Sequence, residues 1–164
     1  LVLHEQHVAL PSGVEIDEFH LIEQPDWVGV VALTDDQQVV TFEQYRHGAA
    51  CCSRELPAGV VDEGETPLEA AQLELKEETG FAADSWQPLF TVYPDPSRHT
   101  HRSHWFFARG ARRVAAQQQE PSEQIAVHLR SVEELLAAAV AGEIVHGVHV
   151  GAILVASRRG LLPG

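Results

Sequence analysis

Residues 59–81 read GVVDEGETPLEAAQLELKEETGF. Their second half carries the marks of a helix. Thr66 offers a side-chain cap, Pro67 takes the first helical position, where a missing N–H costs nothing, and Glu69 stands three residues past the cap, able to reach back to it. Gly80 supplies a left-handed stop. A helix over residues 67–79 follows. At about 100° per residue, Leu68, Ala71, Leu75 and Thr79 form a narrow stripe suited to packing on a sheet. Glu74, Glu77 and Glu78 lie beside that stripe, within about 100° of arc. Glu74 and Glu78 repel each other at i,i+4 by roughly 0.2–0.5 kcal/mol, and Lys76 projects on the other side. Either this is a solvated acidic face, or something binds there that neutralises it.

Working outward, residues 28–33 and 39–42 are apolar, β-rich runs divided by Thr34-Asp35-Asp36-Gln37, a turn composition, and they predict a hairpin. Residues 15–22 make a weaker strand candidate, with a break at Pro25-Asp26. Residues 89–93 and 104–108 predict two strands around a connection containing Pro94 and Pro96, and 125–129 predict another. Ser131-Val132-Glu133-Glu134 repeats the capping pattern before an alanine-rich run that stops at Gly142, and residues 148–157 predict a last helix. Strands outnumber helices and helices interrupt the strand order, which predicts an α/β or α+β layered domain.

The chain has 164 residues, 45% hydrophobic and 21% charged. With no internal repeat and no dividing linker, residues 1–164 are expected to form one domain. A net charge of −13 argues against sequence-independent binding to nucleic acid or to an anionic membrane surface. Phosphate anions remain possible ligands if a divalent cation stands between the charges. No run approaches the roughly 18 apolar residues of a membrane span, and residues 1–10 lack the basic flank and apolar run of a signal peptide. Cys51 and Cys52 are adjacent, a spacing that suits neither a structural disulfide nor a CxxC metal site, so a reducing, cytoplasmic setting is expected.

Gly59, five residues, Glu65, seven residues, then Leu73-Glu74-Leu75-Lys76-Glu77-Glu78-Thr79-Gly80-Phe81 resembles the Nudix box. In that pattern a glycine and a glutamate at the same spacing lead into Arg-Glu-apolar-any-Glu-Glu-any-Gly-apolar. Eight fixed positions match and one departs, Leu73 standing where the family has arginine. The flanks Pro25-Asp26-Trp27-Val28, Glu43-Gln44-Tyr45-Arg46-His47-Gly48, Glu55-Leu56-Pro57-Ala58-Gly59, Tyr93-Pro94-Asp95-Pro96 and Glu120-Pro121-Ser122-Glu123-Gln124-Ile125 extend the likeness. They are similar to the branch of Nudix hydrolases containing ADP-ribose and other nucleoside-diphosphate-sugar pyrophosphatases.

The resemblance implies an α/β/α sandwich with a mixed central sheet. It also implies an extra N-terminal antiparallel sheet, from about residues 1–25, used in homodimerisation. The implied reaction is metal-dependent hydrolysis of a nucleoside diphosphate sugar such as ADP-ribose to a nucleoside monophosphate and a sugar phosphate. Another X-linked nucleoside diphosphate, such as GDP-mannose or a dinucleotide, is the alternative substrate. Because leucine cannot pair with acidic residues as the box arginine does, a non-catalytic nucleotide-binding protein is the alternative from another class.

By the same resemblance Glu74, Glu77, Glu78 and the Ala58 carbonyl hold Mg²⁺ or Mn²⁺, oxygen-ligand metals. Gly59 lets the loop turn toward them, Glu65 braces the loop against the box arginine, and Gly80 ends the helix. Glu77, Glu78 and Glu123 are the catalytic candidates, Glu123 as general base ahead of Glu120. Arg46 corresponds to a substrate-contacting arginine whose fork suits a diphosphate, the alternative being a surface ion pair. Arg98 and Arg102 are candidates for the terminal sugar phosphate. Trp27 either stacks on a base or sits in the core. His99, His101 and His104 invite a zinc reading, but on a strand the third would point away from the other two, so a polar loop over the substrate is the preferred reading. His146 and His149, three apart on the last predicted helix, are expected to line a groove or a dimer contact.

Overall fold

The apolar run at residues 28–33 becomes the centre of the molecule, every residue of it buried, as a strand covered on both faces requires. The computed structural model describes residues 1–118 and 124–163. In chain order the elements are β1 (Val2–Ala9), β2 (Glu15–Glu23), β3 (Trp27–Leu33), β4 (Gln38–Arg46), β5 (Cys51–Glu55), β6 (Ala58–Val60), α1 (Pro67–Thr79), β7 (Phe81–Ala82), β8 (Ser85–Val92), β9 (Ser103–Arg109), β10 (Arg112–Arg113), β11 (Ala126–Ser131), α2 (Val132–Ala141) and α3 (Gly147–Arg158).

The main sheet has the order β11-β4-β3-β9-β8, with β5 added on β4 and β6 on β3. It is mixed, β3 and β9 running parallel from Trp27↔Ser103 to Leu33↔Arg109 while the other pairings are antiparallel. The predicted β3–β4 hairpin forms, but its ladder is confined to Leu33↔Val39. Beyond that pair the strands part and each finds another partner, β6 on β3 and β5 on β4. The segment from β5 to β6 therefore crosses the mouth of a split sheet.

Alternation along β3 sends Val28, Val30 and Ala32 to one face, where Ala70, Ala71 and Leu75 of α1 cover them. Val31 and Leu33 go to the other, packed with Trp105, Phe107, Leu135 and Ile153 under α2 and α3. The result is an α/β/α sandwich. Gly29 permits it, because a Cβ there would meet the Trp105 ring at 2.5 Å. Strands β1 and β2 form a separate two-stranded sheet, tied back through an isolated bridge between Ile22 and His99. No described helix is long and apolar enough to cross a membrane.

Thr66 accepts from the Glu69 N–H, the Glu69 side chain returns to the cap, and Gly80 ends α1 at φ 78°. The buried stripe differs from the one predicted. It is Ala70, Ala71, Leu75, Glu78 and Thr79, while Leu68 is 38% exposed. The helix is rolled toward its carboxylate flank because Glu78 has a bonding partner inside the fold. Strands β1, β5, β6, β7 and β10 were not legible as strands. β5 reads Cys-Cys-Ser-Arg-Glu, a polar string without β patterning, and β6, β7 and β10 are two or three residues long.

Candidate active site

The site begins where β6 meets α1. Val30 N–H donates to the Pro57 carbonyl at 2.9 Å, which makes Gly29↔Ala58 a non-hydrogen-bonded pair of the ladder. The Ala58 amide and carbonyl then face away from β3. The amide donates to Glu78 Oε2 at 2.9 Å, and the carbonyl turns to the same side. Glu78 is only 6% exposed, and a carboxylate so buried has to be hydrogen-bonded. Gly59 follows. It is not among the residues with left-handed backbone, and a Cβ there would land on the Glu74 carboxyl group. Its role in the structure is thus to make room for Glu74, not to turn the chain.

These contacts close one side of a cleft of about 330 Å³. Asp62, Glu65, Glu74, Glu77 and Glu78 line it together with Ala58, Gly59, Trp27, Leu73 and Gln44, and among the described residues Arg46 is the one cationic side chain in the lining. Among the described residues, the group of potential ligand atoms that converges within 4.8 Å is Glu5, Glu18 and His20, on β1 and β2. Glu74, Glu77 and Glu78 share their cleft without converging so far, in keeping with the repulsion of like charges on one helix.

Arg46 is both a cleft residue and an ion-pair residue. Its Nε donates to Glu55 Oε1 at 2.7 Å and its Nη2 to Oε2 at 2.5 Å, a bidentate fork. Glu55 is fully buried. Sequence reasoning gave it no role, since its burial and its fork depend on pairing with β4. Behind it stands His149 of α3, 1% exposed, with Nε2 4.0 Å from Glu55 Oε2 and Nδ1 accepting from the Leu56 N–H at 3.1 Å. His146 lies over it, ring centroids 4.4 Å apart; His149 belongs to the core behind the cleft, whereas His146 is half-buried and lines surface grooves beside Pro94, as expected of a groove residue.

Leu73 is 40% exposed and lines the cleft beside Glu65. Among the described residues no cation pairs with Glu65. Trp27 starts β3 and lines the cleft, half-buried. Arg98 lies elsewhere, its guanidinium over the Phe19 ring at 5.0 Å and donating to the His20 carbonyl. Arg102 is 3.7 Å from Asp26 and lies outside the cleft lining. Glu120 and Glu123 fall outside the described residues. His99 and His101 belong to the loop before β9, where His101 is buried against Gln24, and His104 on β9 bonds Asp26 at 3.0 Å. They do not converge as a zinc site.

A split-sheet sandwich that lines a cleft with an acidic helix defines a narrow class of protein. The chain belongs to the NUDIX domain family, whose model matches residues 24–148. It is 32% identical to the methanol dehydrogenase activator of Bacillus methanolicus over 66% of this chain and 58% of that protein. It is 29% identical to the ADP-ribose pyrophosphatase of Mycobacterium tuberculosis over 93% of this chain and 74% of that one. The matched region thus spans less than three fifths of the Bacillus relative. The fold is similar to a crystal structure of an ADP compounds hydrolase, with TM-score 0.82 and 21% identity over 95% of this chain and 84% of that chain.

Burial lowers the pKa of His149 well below the ordinary imidazole value of 6.5, helped by the charges of His146 and Arg46. Burial also lowers His146 and His101. An unfolded chain therefore takes up protons before the folded one does, so stability is full above about pH 6.5 and declines as pH falls below it. The melting temperature is expected to drop between pH 6.5 and 5, with a shallower slope in His149→Asn. Equal slopes for parent and variant would contradict the assignment to His149.

Proposed function

We propose that the protein hydrolyses the pyrophosphate bond of a nucleoside diphosphate linked to a sugar, with ADP-ribose the first substrate to test, in a reaction that requires Mg²⁺ or Mn²⁺. The observation that carries this reading is the gathering of five carboxylates and one bidentate-held arginine around a single cleft. The ADP-ribose pyrophosphatase named among its relatives supports the substrate class. Residues 1–164 are read as one such domain, residues 1–25 as its N-terminal extension, and the setting as cytoplasmic, in keeping with two free cysteines.

The donor set suits the metal. Glu74, Glu77, Glu78 and the Ala58 carbonyl are hard oxygen donors on two facing elements and would hold it. When bound, such an ion offsets the charge of the pyrophosphate oxygens and favours attack by water. Glu77 is the described carboxylate assigned to hold that water, and Glu123 keeps its role as proposed general base. A water oxygen bonds to one phosphorus while the bond from that phosphorus to the bridging oxygen breaks. The bridging oxygen leaves with the other phosphate, and the water proton passes to the base. Arg46, its plane fixed by Glu55, offers its charge to the diphosphate, and Trp27 offers a ring face to the base. Arg98 and Arg102 would have to leave their present contacts to reach a sugar phosphate.

A panel of ADP-ribose, GDP-mannose and dinucleotides, with Mg²⁺ and with Mn²⁺, identifies the substrate; turnover unaffected by EDTA would refute the metal requirement. Glu78→Gln keeps an acceptor for the Ala58 amide and removes the charge. It is expected to retain the fold while losing about 10²-fold or more in kcat, and activity within a few-fold of the parent would remove Glu78 from the ligand set.

The exposed position of Leu73 favours simple loss of a brace over a repacked apolar neighbourhood. Leu73→Arg should therefore pair with Glu65 at unchanged melting temperature and raise turnover by up to about 10–100-fold. A slower and less stable variant would reject that account. Tight nucleotide binding without turnover in both parent and variant would instead favour the non-catalytic reading.

The β1–β2 sheet stands apart from the main sheet; its strand β1 exposes Val2 and Leu3, and the residues flanking the strands expose Leu1, Leu10 and Val14. We assign it to a homodimer contact. Light scattering at micromolar concentration is expected to return twice the chain mass, and a monomer mass would refute it.

A further inference from the structure

The segment carrying both the arginine clamp and the carbonyl of the cleft is only five residues long, Glu55 to Gly59, and it spans the split between β4 and β3. Its cleft side is held by the Ala58 amide on Glu78. Its far side is held from α3, across the sheet. His149 Nδ1 accepts the Leu56 N–H at 3.1 Å, inside a core where Trp105 closes edge-on over the imidazole at 4.9 Å. With Nδ1 accepting, a neutral imidazole carries its proton on Nε2, and that N–H faces the buried Glu55 carboxylate, whose oxygens take the Arg46 fork. One ring thus touches the amide next to Glu55 on one side and faces Glu55 itself on the other.

We infer that His149 is a positioning residue for the cleft: from the opposite layer of the sandwich it fixes the register of residues 55–59, and through them the Arg46 fork and the Ala58 backbone opposite Glu78. The inference rests on the proposed function only for its effect on metal and substrate. The positioning itself concerns backbone amides and is measurable without either. Burial, which keeps the ring neutral, preserves the acceptor. Nothing in the helix requires a histidine there, since neighbouring core positions on α3 are Ala152, Ile153 and Ala156.

Three substitutions separate positioning from packing. Asn can set its carbonyl oxygen where Nδ1 lies and keep the Leu56 bond; Gln sets its amide where Nε2 lies and loses it; Leu fills the space with no acceptor. Amide hydrogen exchange at Leu56 and Ala58 is read by NMR, Mn²⁺ binding by electron paramagnetic resonance, and folding by thermal melting. His149→Asn is expected to match the parent within about threefold in exchange and in Mn²⁺ affinity. His149→Gln and His149→Leu should exchange both amides at least about tenfold faster and bind Mn²⁺ about 10–100-fold more weakly. Should His149→Leu fail to fold, the Asn and Gln pair still decides.

The inference is overturned if Asn and Gln behave alike, or if exchange at Ala58 is unchanged while the melting temperature alone falls, the signature of a purely structural histidine. A parent that binds no Mn²⁺ and turns over no substrate panel member would count against the proposed function. The exchange rates would then still test the positioning.

Discussion

A hydrogen bond from the Ala58 amide to the buried carboxylate of Glu78 ties the sheet to the acidic helix, and the site is arranged around it. It explains why α1 rolls its carboxylate flank inward and leaves Leu68 outside. It also explains why Gly59 must be glycine. With Glu78 drawn in, its i−4 neighbour Glu74 comes down on the next residue of β6, where a Cβ would collide with it. The bond is possible only because β3 and β4 part after Leu33↔Val39. A closed hairpin would have used those strand edges, and residues 56–58 would have no gap to cross.

The helices and central strands were legible because each carries its own local chemistry. The capping residues Thr66 and Ser131 and the stops Gly80 and Gly142 mark α1 and α2 without reference to the rest of the chain. The apolar run of β3 announces a strand buried on both faces. The site was legible in type, since Glu74, Glu77, Glu78, Glu65 and Arg46 do line one cleft. Its supports were not, because they depend on pairings between distant segments. Nothing local to Glu55 says that it is buried and forks with Arg46, and nothing local to His149 says that its acceptor faces Leu56, 93 positions away. The roll of α1 was missed for the same reason: a wheel ranks Leu68 above Glu78 by hydrophobicity, and the partner that reverses the ranking lies on another element.

Concentrating carboxylates in this way works against stability, through like-charge repulsion on α1 and the cost of burying Glu78. The fold offsets this with hydrogen bonds to charged groups, which are stronger than neutral ones. Glu78 is met by a backbone amide and Glu55 by a guanidinium. Glu65 and Glu77 stay partly exposed in the cleft, where water screens them. The arrangement divides the acids into those bonded within the fold and those that face the open cleft.

That division gives the Leu73 departure a structural meaning. In the pattern this chain resembles, an arginine at that place would hold the loop from the solvent side by pairing with its acids. Here the side chain is leucine, half in solvent, and Glu65 has no cation partner among the described residues. Residues 56–58 are held from beneath, through the Val30 amide on Pro57, the Ala58 amide on Glu78 and the Leu56 amide on His149. Three successive residues are therefore anchored by three different elements, β3, α1 and α3. Such anchoring fixes the backbone of residues 56–58 and leaves the side chains of Glu65 and Asp62 on the solvent side of the cleft.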